Sequence, residues 1–182
     1  MTEPIGAAHL LKDGDLHTVD SLGPVEVLVG VCALNQARSV ARVVEAVVAG
    51  LDSALADRKC GIVVVEAGFR NETLDAVKGW LAARVPGPPV CCVRIAGPPS
   101  RSRAILGALA VAHRLRPAAC ALMDAGLVSL TPEGLGRLVQ PILSGEADCV
   151  SPAYTHTVAE GTLTTNLLAP MCRALYGRRI QQ

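Results

Sequence analysis

The chain alternates between short apolar runs and longer segments with helical periodicity. The first clear run, "VEVLVGVCAL" (25–34), is rich in β-branched residues and has the length of a strand. In the segment that follows, "NQARSVARVVEAVVAGLDSALADR", apolar residues recur at helical spacing from Val40 to Leu51. The sequence therefore predicts a strand, a loop and a helix, in this order.

This strand and helix unit occurs four times. The later strand segments are "CGIVVVEAG", "PVCCVRIAG" and "ACALMDAGL", and the helical segments that follow them are "NETLDAVKGWLAARV", "SRSRAILGALAVAHRL" and "TPEGLGRLVQPILSG". Strands that are almost continuously apolar suit a sheet covered on both faces, and successive β–α units imply parallel strands. We therefore predict an α/β fold with a mostly parallel, doubly wound sheet and helices on both faces.

The two ends of the chain have weaker patterns. Residues 1–24 show no clear period, which predicts a loosely packed N-terminal extension with one helical turn at residues 9–12, before a single domain at 25–182. The segment "EADCVSPAY" predicts a fifth strand that ends near Pro152. The segment "TTNLLAPMCRALYGRRIQQ" predicts a last helix, which Pro170 kinks or breaks. Thr131, followed by proline and glutamate, is expected to cap the fourth of the repeated helices.

Composition and charge exclude some classes of function. The net charge of +1 creates no field that would attract a polyanion, and no aromatic residues alternate with the short basic pairs, so we expect no nucleic-acid partner. Apolar residues make up 51% of the chain, but no uninterrupted run reaches the roughly 18 to 20 residues that span a bilayer. The start "MTEPIGAAHLLKDGD" is not a basic region followed by an apolar one. These features predict a cytoplasmic protein without a membrane span.

The seven cysteines do not form a recognisable framework. Their number is odd, two of them are adjacent, and none belongs to a C-x-x-C pair. Most lie inside apolar runs, where free cysteine behaves as a small hydrophobic residue. We therefore predict reduced core thiols rather than disulfides or a zinc site.

The residues that follow the strands are the candidates for function, since ligands of parallel α/β sheets bind at the carboxyl ends of the strands. These segments are 33–38, 66–71, 97–103 and 124–127. None of the strands is followed by G-x-G-x-x-G or by G-x-x-x-x-G-K-[ST], and the elbow G-x-S-x-G is missing from the sequence. These absences argue against a dinucleotide dehydrogenase, a P-loop enzyme and an α/β-hydrolase.

A family resemblance appears at the same strand ends. The segment "VGVCALNQARSVARVVEAV" resembles the first strand and helix of the nucleotide-sugar glycosyltransferases with the Rossmann-like GT-A fold. "IVVVEAGFRNET" is similar to their motif V-V-D-D-G-S-T-D-G-T, "SRSRAIL" stands where they have G-K-G-x-A-L, and "ALMDAGL" stands where they have the metal-binding D-x-D. Residues 130–182, with "TPE", "GEADCVSPAY", "GTLTTN" and "RALYGRRI", resemble the retaining branch that includes glucosyl-3-phosphoglycerate and mannosylglycerate synthases. The resemblance covers residues 25–182.

The resemblance implies a hexosyltransferase that binds a nucleoside-diphosphate sugar and transfers the sugar to a small, glycerate-type acceptor. It implies that Asn35 and Gln36 flank the base or ribose, that Glu66 faces the base pocket, and that Arg101 replaces the family's lysine near the diphosphate. Asp124 would be the first acid that binds Mg²⁺ or Mn²⁺, which prefer carboxylate oxygens and neutralise the leaving group. The full set implied for the nucleotide sugar is Ala33, Leu34, Asn35, Gln36, Glu66, Arg101, Asp124 and Ala125. The set implied for the acceptor is Gly161, Thr162, Thr164 and Asn166.

The sequence departs from the family at three places. Gly126 occupies the position of the second metal acid, and Ala67 that of the second aspartate of the base-binding pair. In the related synthases the chain continues beyond "YGRRI" into a segment that completes the acceptor site. Either a second chain or domain supplies that segment, a homodimer being one such arrangement, or the protein is a non-catalytic nucleotide-binding or scaffolding relative. A sugar-phosphate nucleotidyltransferase is a third interpretation, although its Gly-rich signature is missing.

Each candidate residue also has a simpler interpretation. Asp124 can be an ordinary turn residue after its strand, and Glu66 a solvated strand end. Arg101 can belong to a solvated helix start, although such a helix end also binds anions. Thr164 and Asn166 can be helix caps. The sequence leaves these alternatives open.

Overall fold

The computed structural model describes residues 10–69, 72–85, 87–153 and 164–177. The chain divides into two compact units, Met1–Val150 and Ser151–Gln182. The described part of the first unit contains four strands: β1 (Val27–Ala33), β2 (Cys60–Glu66), β3 (Val90–Arg94) and β4 (Ala119–Asp124). Its helices are α1 (Asp13–Asp20), α2 (Val40–Ala54), α3 (Glu72–Ala83), α4 (Arg101–Leu115) and α5 (Pro132–Leu143). The four predicted β–α units are confirmed.

The four strands form one parallel sheet in the order β3-β2-β1-β4. At the carboxyl edge, Ala33 of β1 is level with Glu66 of β2, and Cys32 of β1 is level with Asp124 of β4. The register therefore brings the ends of β2, β1 and β4 side by side. The predicted parallel α/β architecture is confirmed.

Helices cover both faces of the sheet, as predicted. On one face, Val27, Val29 and Val31 of β1 belong to a core that is closed by α2, α3 and α5. On the other face, Leu28 and Cys32 pack in a second core with α1 and α4. Because β1 is buried along its whole length, it can be apolar at every position. Each fully buried valine, leucine or isoleucine side chain stabilises the fold by about 1.5–3 kcal/mol.

The N-terminal segment differs from the prediction of a loosely packed extension. Residues 10–12 are not helical, and the chain forms the two-turn helix α1 from Asp13, with Val19 and the following Leu22 buried in the second core. Asp15 accepts a hydrogen bond from the Lys12 N–H at 3.0 Å, which satisfies a free donor at the helix start. Residues 13–24 are therefore part of the layer that covers the sheet.

The predicted fifth strand is also wrong for residues 146–153, which contain no strand. The N–H groups of Glu146 and Ala147 both donate to the Pro141 carbonyl, so the chain first completes the C-terminal turn of α5. Gly145 permits this turn with a φ of +74°. The side chain of Cys149, which lies in the segment predicted as a strand, is exposed.

The described part of the second unit is helical. A π-helical turn, Thr164–Leu168, leads into α6 (Ala169–Tyr176), and Pro170 lies in the first turn of α6. Proline is tolerated there because the first N–H groups of a helix have no partner within the helix. The change from the π-helical turn to α6 falls at Ala169, next to Pro170, where a kink or a break was predicted. Within the ranges that the structure describes, no helix is both long enough and apolar enough to cross a membrane.

Candidate functional site

The strand order places a change of direction between β1 and β4. The chain runs from β1 outward to β2 and β3, and then returns to the other side of β1 to form β4. In open parallel sheets, the crevice at the carboxyl ends of two such strands is the usual ligand site, because the following loops diverge there. The sheet therefore directs attention to the loops after Ala33 and Asp124.

A hydrogen bond joins these two loops. The Gln36 side chain donates from Nε2 to Asp124 Oδ1 at 2.8 Å, across the point where the strand order reverses. Its Oε1 accepts the Leu34 N–H at 3.1 Å, and its own backbone N–H donates to Thr73 Oγ1 at 3.1 Å. Gln36 thus connects the loops that follow β1, β2 and β4.

The turn that positions Gln36 depends on Asn35, which has a φ of +56°. Few residues other than glycine adopt this left-handed conformation, and asparagine is one that tolerates it. Ala33 and Leu34 immediately precede this turn. The predicted segment 33–36 is therefore a sharp corner at the edge of the sheet.

Asp124 has partners for both of its carboxylate oxygens. Oδ1 accepts the Gln36 amide and also the Gly126 backbone N–H at 2.7 Å. Oδ2 lies 3.2 Å from a guanidinium nitrogen of Arg101, the first residue of α4. Ala125 N donates to the Cys32 carbonyl at 2.9 Å, which extends the pairing with β1 by one residue. Asp124 joins the β4 loop to α4 and to the β1 loop, and does more than end its strand.

Glu66 is fully buried at the end of β2, so the interpretation as a solvated strand end is wrong. Its Oε1 accepts the Asn35 N–H at 3.2 Å and also the Gly68 N–H. Among the described residues, Oε2 has no hydrogen-bond partner. A buried polar atom without a partner costs free energy, so its presence at a strand end is typical of a functional position. The Glu66 carboxylate directly stabilises the loops that follow β1 and β2.

Gly68 lies where a side chain would not fit. A Cβ atom at this position would lie 2.3 Å from Asn35 Oδ1 and 2.5 Å from Glu66 Oε1. The Gly68 carbonyl accepts a hydrogen bond from Arg94 at 3.0 Å, which brings the end of β3 into the same network. Four successive strand ends are thereby linked through side chains.

Two members of this network were not among the predicted site residues. Thr73, at the start of α3, is buried and accepts the Gln36 N–H, and Arg94 is the last residue of β3. Arg94 was open to prediction, because it ends a strand of a parallel sheet as Glu66 and Asp124 do. Thr73 ends the segment "IVVVEAGFRNET", which resembles the family's second-strand motif, but that resemblance gave it no role.

Arg101 carries an accessible charge in this region. Its side chain is 68% exposed, whereas that of its partner Asp124 is 39% exposed. A guanidinium group has five N–H donors in a planar arrangement, so one carboxylate oxygen leaves donors available. Arg103, two residues further along α4, donates to the Ala96 carbonyl and not to Asp124.

The residues around Asp124 do not fit a divalent cation. Magnesium prefers near-octahedral oxygen ligands, with carboxylates free to bind it, yet the two Asp124 oxygens already contact Gln36, Gly126 and Arg101. A Cβ on Gly126 would lie 2.6 Å from Gln36 Nε2, so a second acid there would displace the amide. Within the described ranges, no three His, Cys, Asp or Glu side chains come together as a metal-binding group.

The thiols near the sheet are unsuited to nucleophilic chemistry. Burial is the main cause that raises the pKa of Cys32 to about 12, with the Asp124 charge as a smaller cause. Burial likewise raises the pKa of Cys91 to about 12 and that of Cys92 to about 11. The thiolate is the reactive form, so these groups are inert near neutral pH. All seven cysteines are free, and three of them are buried, namely Cys32, Cys60 and Cys91.

The predicted acceptor residues lie in the second unit or outside the described residues. Gly161 and Thr162 are outside the described residues. Thr164 begins the π-helical turn, and Asn166 is exposed within it. Their assignment to an acceptor site stays a prediction.

Two open cavities lie at the opposite edge of the sheet. One, of about 390 Å³, is lined by residues before β1, β2 and β3, including Pro24, Lys59 and Pro89. The other, of about 650 Å³, lies between the end of α2 and α5 and is lined by Arg58 and Arg137. Neither contains a residue of the network at the carboxyl edge.

Comparison of the chain with known protein families, with curated proteins and with solved structures gave no match.

Proposed function

We propose that the protein binds a nucleoside-diphosphate sugar at the carboxyl edge of its sheet, and that it is a glycosyltransferase that transfers the sugar to a small, glycerate-type acceptor. The observation that carries this proposal is the hydrogen bond between Gln36 and Asp124. It joins the two loops at the reversal of strand order, where parallel α/β sheets bind their ligands.

The residues at this edge match the parts of such a ligand. Asn35 and Gln36 form a polar corner whose turn is held from beneath by the buried Glu66 carboxylate, and their amide groups can bond to a base or a ribose hydroxyl. Arg101 offers exposed guanidinium donors, which suit phosphate because the planar fork of N–H groups can bond to two phosphate oxygens, which carry the opposite charge. A neutral, apolar ligand would leave these groups unpaired.

Thermal unfolding in the presence of UDP, GDP, ADP and their sugar conjugates tests the binding step. A ligand that binds only the native state stabilises it by about 2.7 kcal/mol at 100 times its dissociation constant. We expect one nucleoside diphosphate to raise the Tm of the native chain, and its free nucleoside to do so less. If no nucleotide changes the Tm at millimolar concentration, the proposal is wrong.

A pair of arginine variants tests whether the nucleotide that raises the Tm binds at the carboxyl edge of the sheet. Arg101 and Arg58 are both substantially exposed, and each forms an ion pair, Arg101 with Asp124 at 3.2 Å and Arg58 with Glu26 at 3.1 Å. Arg58 lines the cavities at the opposite edge. We expect Arg101→Ala to reduce the Tm shift caused by nucleotide, and Arg58→Ala to preserve it.

A second candidate function is binding without chemistry. It is favoured by the contacts of Asp124, whose two oxygens are occupied by protein donors and which therefore lacks a free oxygen for a metal. Incubation with the nucleotide sugar that binds best, with and without 3-phosphoglycerate or glycerate, separates the two. Release of the nucleoside diphosphate that depends on the acceptor supports a transferase, whereas tight binding without release supports the non-catalytic relative.

A further inference from the structure

We propose that Arg101, positioned by Asp124, supplies the positive charge for the ligand's diphosphate, so that nucleotide binding needs no divalent cation. This inference rests on the proposed function. It concerns a different property, namely what neutralises the phosphates. Its ligand class is a nucleoside diphosphate, free or conjugated to a sugar.

The first step is the charge balance of the site. In a site with two acids one residue apart, two carboxylates and one divalent cation sum to zero. Here, Gly126 removes one carboxylate, and the Asp124 carboxylate with the Arg101 guanidinium also sums to zero. The guanidinium therefore cancels the one remaining carboxylate, and the loss of the second acid at Gly126 removes the excess negative charge that a divalent cation would offset.

The second step is geometric. Asp124 Oδ2 contacts one nitrogen of Arg101 at 3.2 Å, and Asp124 Oδ1 is fixed by Gln36 and Gly126 at 2.8 and 2.7 Å. The carboxylate is therefore oriented by two donors and in turn orients the guanidinium. Because the Arg101 side chain is still 68% exposed, its other N–H groups are available to phosphate oxygens.

The third step is that the same contacts oppose metal binding. A cation would have to displace Arg101 from Oδ2 or Gln36 and Gly126 from Oδ1, and it would gain only one carboxylate ligand. Gly126 has no carboxylate to supply the second, and a Cβ there would lie 2.6 Å from Gln36 Nε2 and 2.9 Å from Asp124 Oδ1, so the Gln36 amide would have to move to admit an acid. The contacts that Asp124 makes therefore compete with metal binding.

The test is calorimetric titration of UDP or GDP, whichever stabilises the protein, in EDTA and then in Mg²⁺ or Mn²⁺. We expect dissociation constants that agree within about threefold between these conditions. Arg101→Ala and Arg101→Gln should each weaken nucleoside-diphosphate binding by about tenfold or more, since a charge-assisted hydrogen bond is lost. Both should change the affinity for the free nucleoside by less than about threefold, because the nucleoside lacks the diphosphate. Arg58→Ala is the matched control and should leave both affinities unchanged.

The outcomes separate the two proposals. If Mn²⁺ or Mg²⁺ tightens binding by more than about tenfold, this inference is overturned while the proposed function stands. The inference is also overturned if the Arg101 variants weaken nucleoside and nucleotide binding equally, because the guanidinium would then not act on the phosphates. If neither UDP nor GDP binds with or without metal, the proposed function fails and the inference fails with it.

Discussion

Replacing Glu66 by alanine tests the structure of the carboxyl edge most severely. The carboxylate is fully buried, and its Oε1 accepts the N–H groups of Asn35 and Gly68. In Glu66→Ala these two partly buried donors lose their acceptor, and an unpaired donor costs about 1–3 kcal/mol when it is buried. We therefore expect the free energy of unfolding to fall by about 2–3 kcal/mol, the lower part of the range for two donors, which is a substantial part of the stability of an ordinary domain.

The isosteric variant Glu66→Gln is the matched control. Its amide oxygen can accept the same two hydrogen bonds, but these lose the assistance of a charge, which is worth about 1 kcal/mol for each bond. We expect a loss of about 1–2 kcal/mol, clearly smaller than that of the alanine variant. Urea titration followed by the fluorescence of Trp80, the only tryptophan, measures both, since this residue packs against the core. If Glu66→Ala unfolds within about 0.5 kcal/mol of the native chain, Oε1 does not stabilise these loops.

Two further predictions concern the rest of the first unit. In Gly107→Ala the new Cβ would lie 2.7 Å from the Ile95 side chain, and such overpacking destabilises a fold by about 1–3 kcal/mol. The higher helix propensity of alanine offsets ~1 kcal/mol of this loss. Gly79→Ala, with no atom within 4 Å of its Cβ, should instead stabilise the first unit. Equal urea midpoints for the two variants would contradict the close packing of Gly107 on Ile95. The hydrogen bond from Arg114 of α4 lowers the pKa of Asp20 below its ordinary value of 3.8. The stability that this ion pair contributes is therefore present above pH 3.8, and it is lost as the pH falls through the lower pKa of the native state. Asp20→Asn should therefore lower the urea midpoint at neutral pH but not in strong acid, and a difference that persists in acid would reject the ion pair as its cause.

The sequence predicted the sheet well because the physical signal was strong. β1 and β2 are buried at every position, so they had to be continuous apolar runs. The helical spacing of Val40, Val43, Val44 and Val47 follows from the face that packs on the sheet. The segment "EADCVSPAY" after α5 has too few apolar residues to distinguish a strand from a loop, and its predicted strand is absent from residues 146–153.

The N-terminal helix could not be predicted in the same way. In α1 only Val19 is buried, so its sequence has little apolar periodicity. Its position depends on tertiary contacts, namely the packing of Val19 and Leu22 on the sheet and the hydrogen bonds between Arg114 and Asp20 at 2.6 and 2.7 Å. Contacts between residues so far apart in the chain leave no local pattern.

The candidate site was predictable in place but not in its connections. The rule that ligands bind at carboxyl strand ends selected Gln36, Glu66, Arg101 and Asp124, and the structure places Gln36 and Arg101 against Asp124. The partners of each group depend on the register of the strands and on side-chain directions, which no motif encodes. The pairing of Arg101 with Asp124 in particular changes a predicted metal ligand into one half of an ion pair.

The location of nucleotide binding is the most direct test of the account. Titration of the ¹⁵N-labelled chain with UDP or GDP, followed by amide chemical shifts, reports where the ligand contacts the protein. We predict that the largest shifts occur at Asn35, Gly68 and Gly126, whose N–H groups bond to Glu66 or Asp124 at the carboxyl edge. Shifts concentrated instead at Lys59 and Gly87, which line the cavity at the opposite edge, would contradict the account.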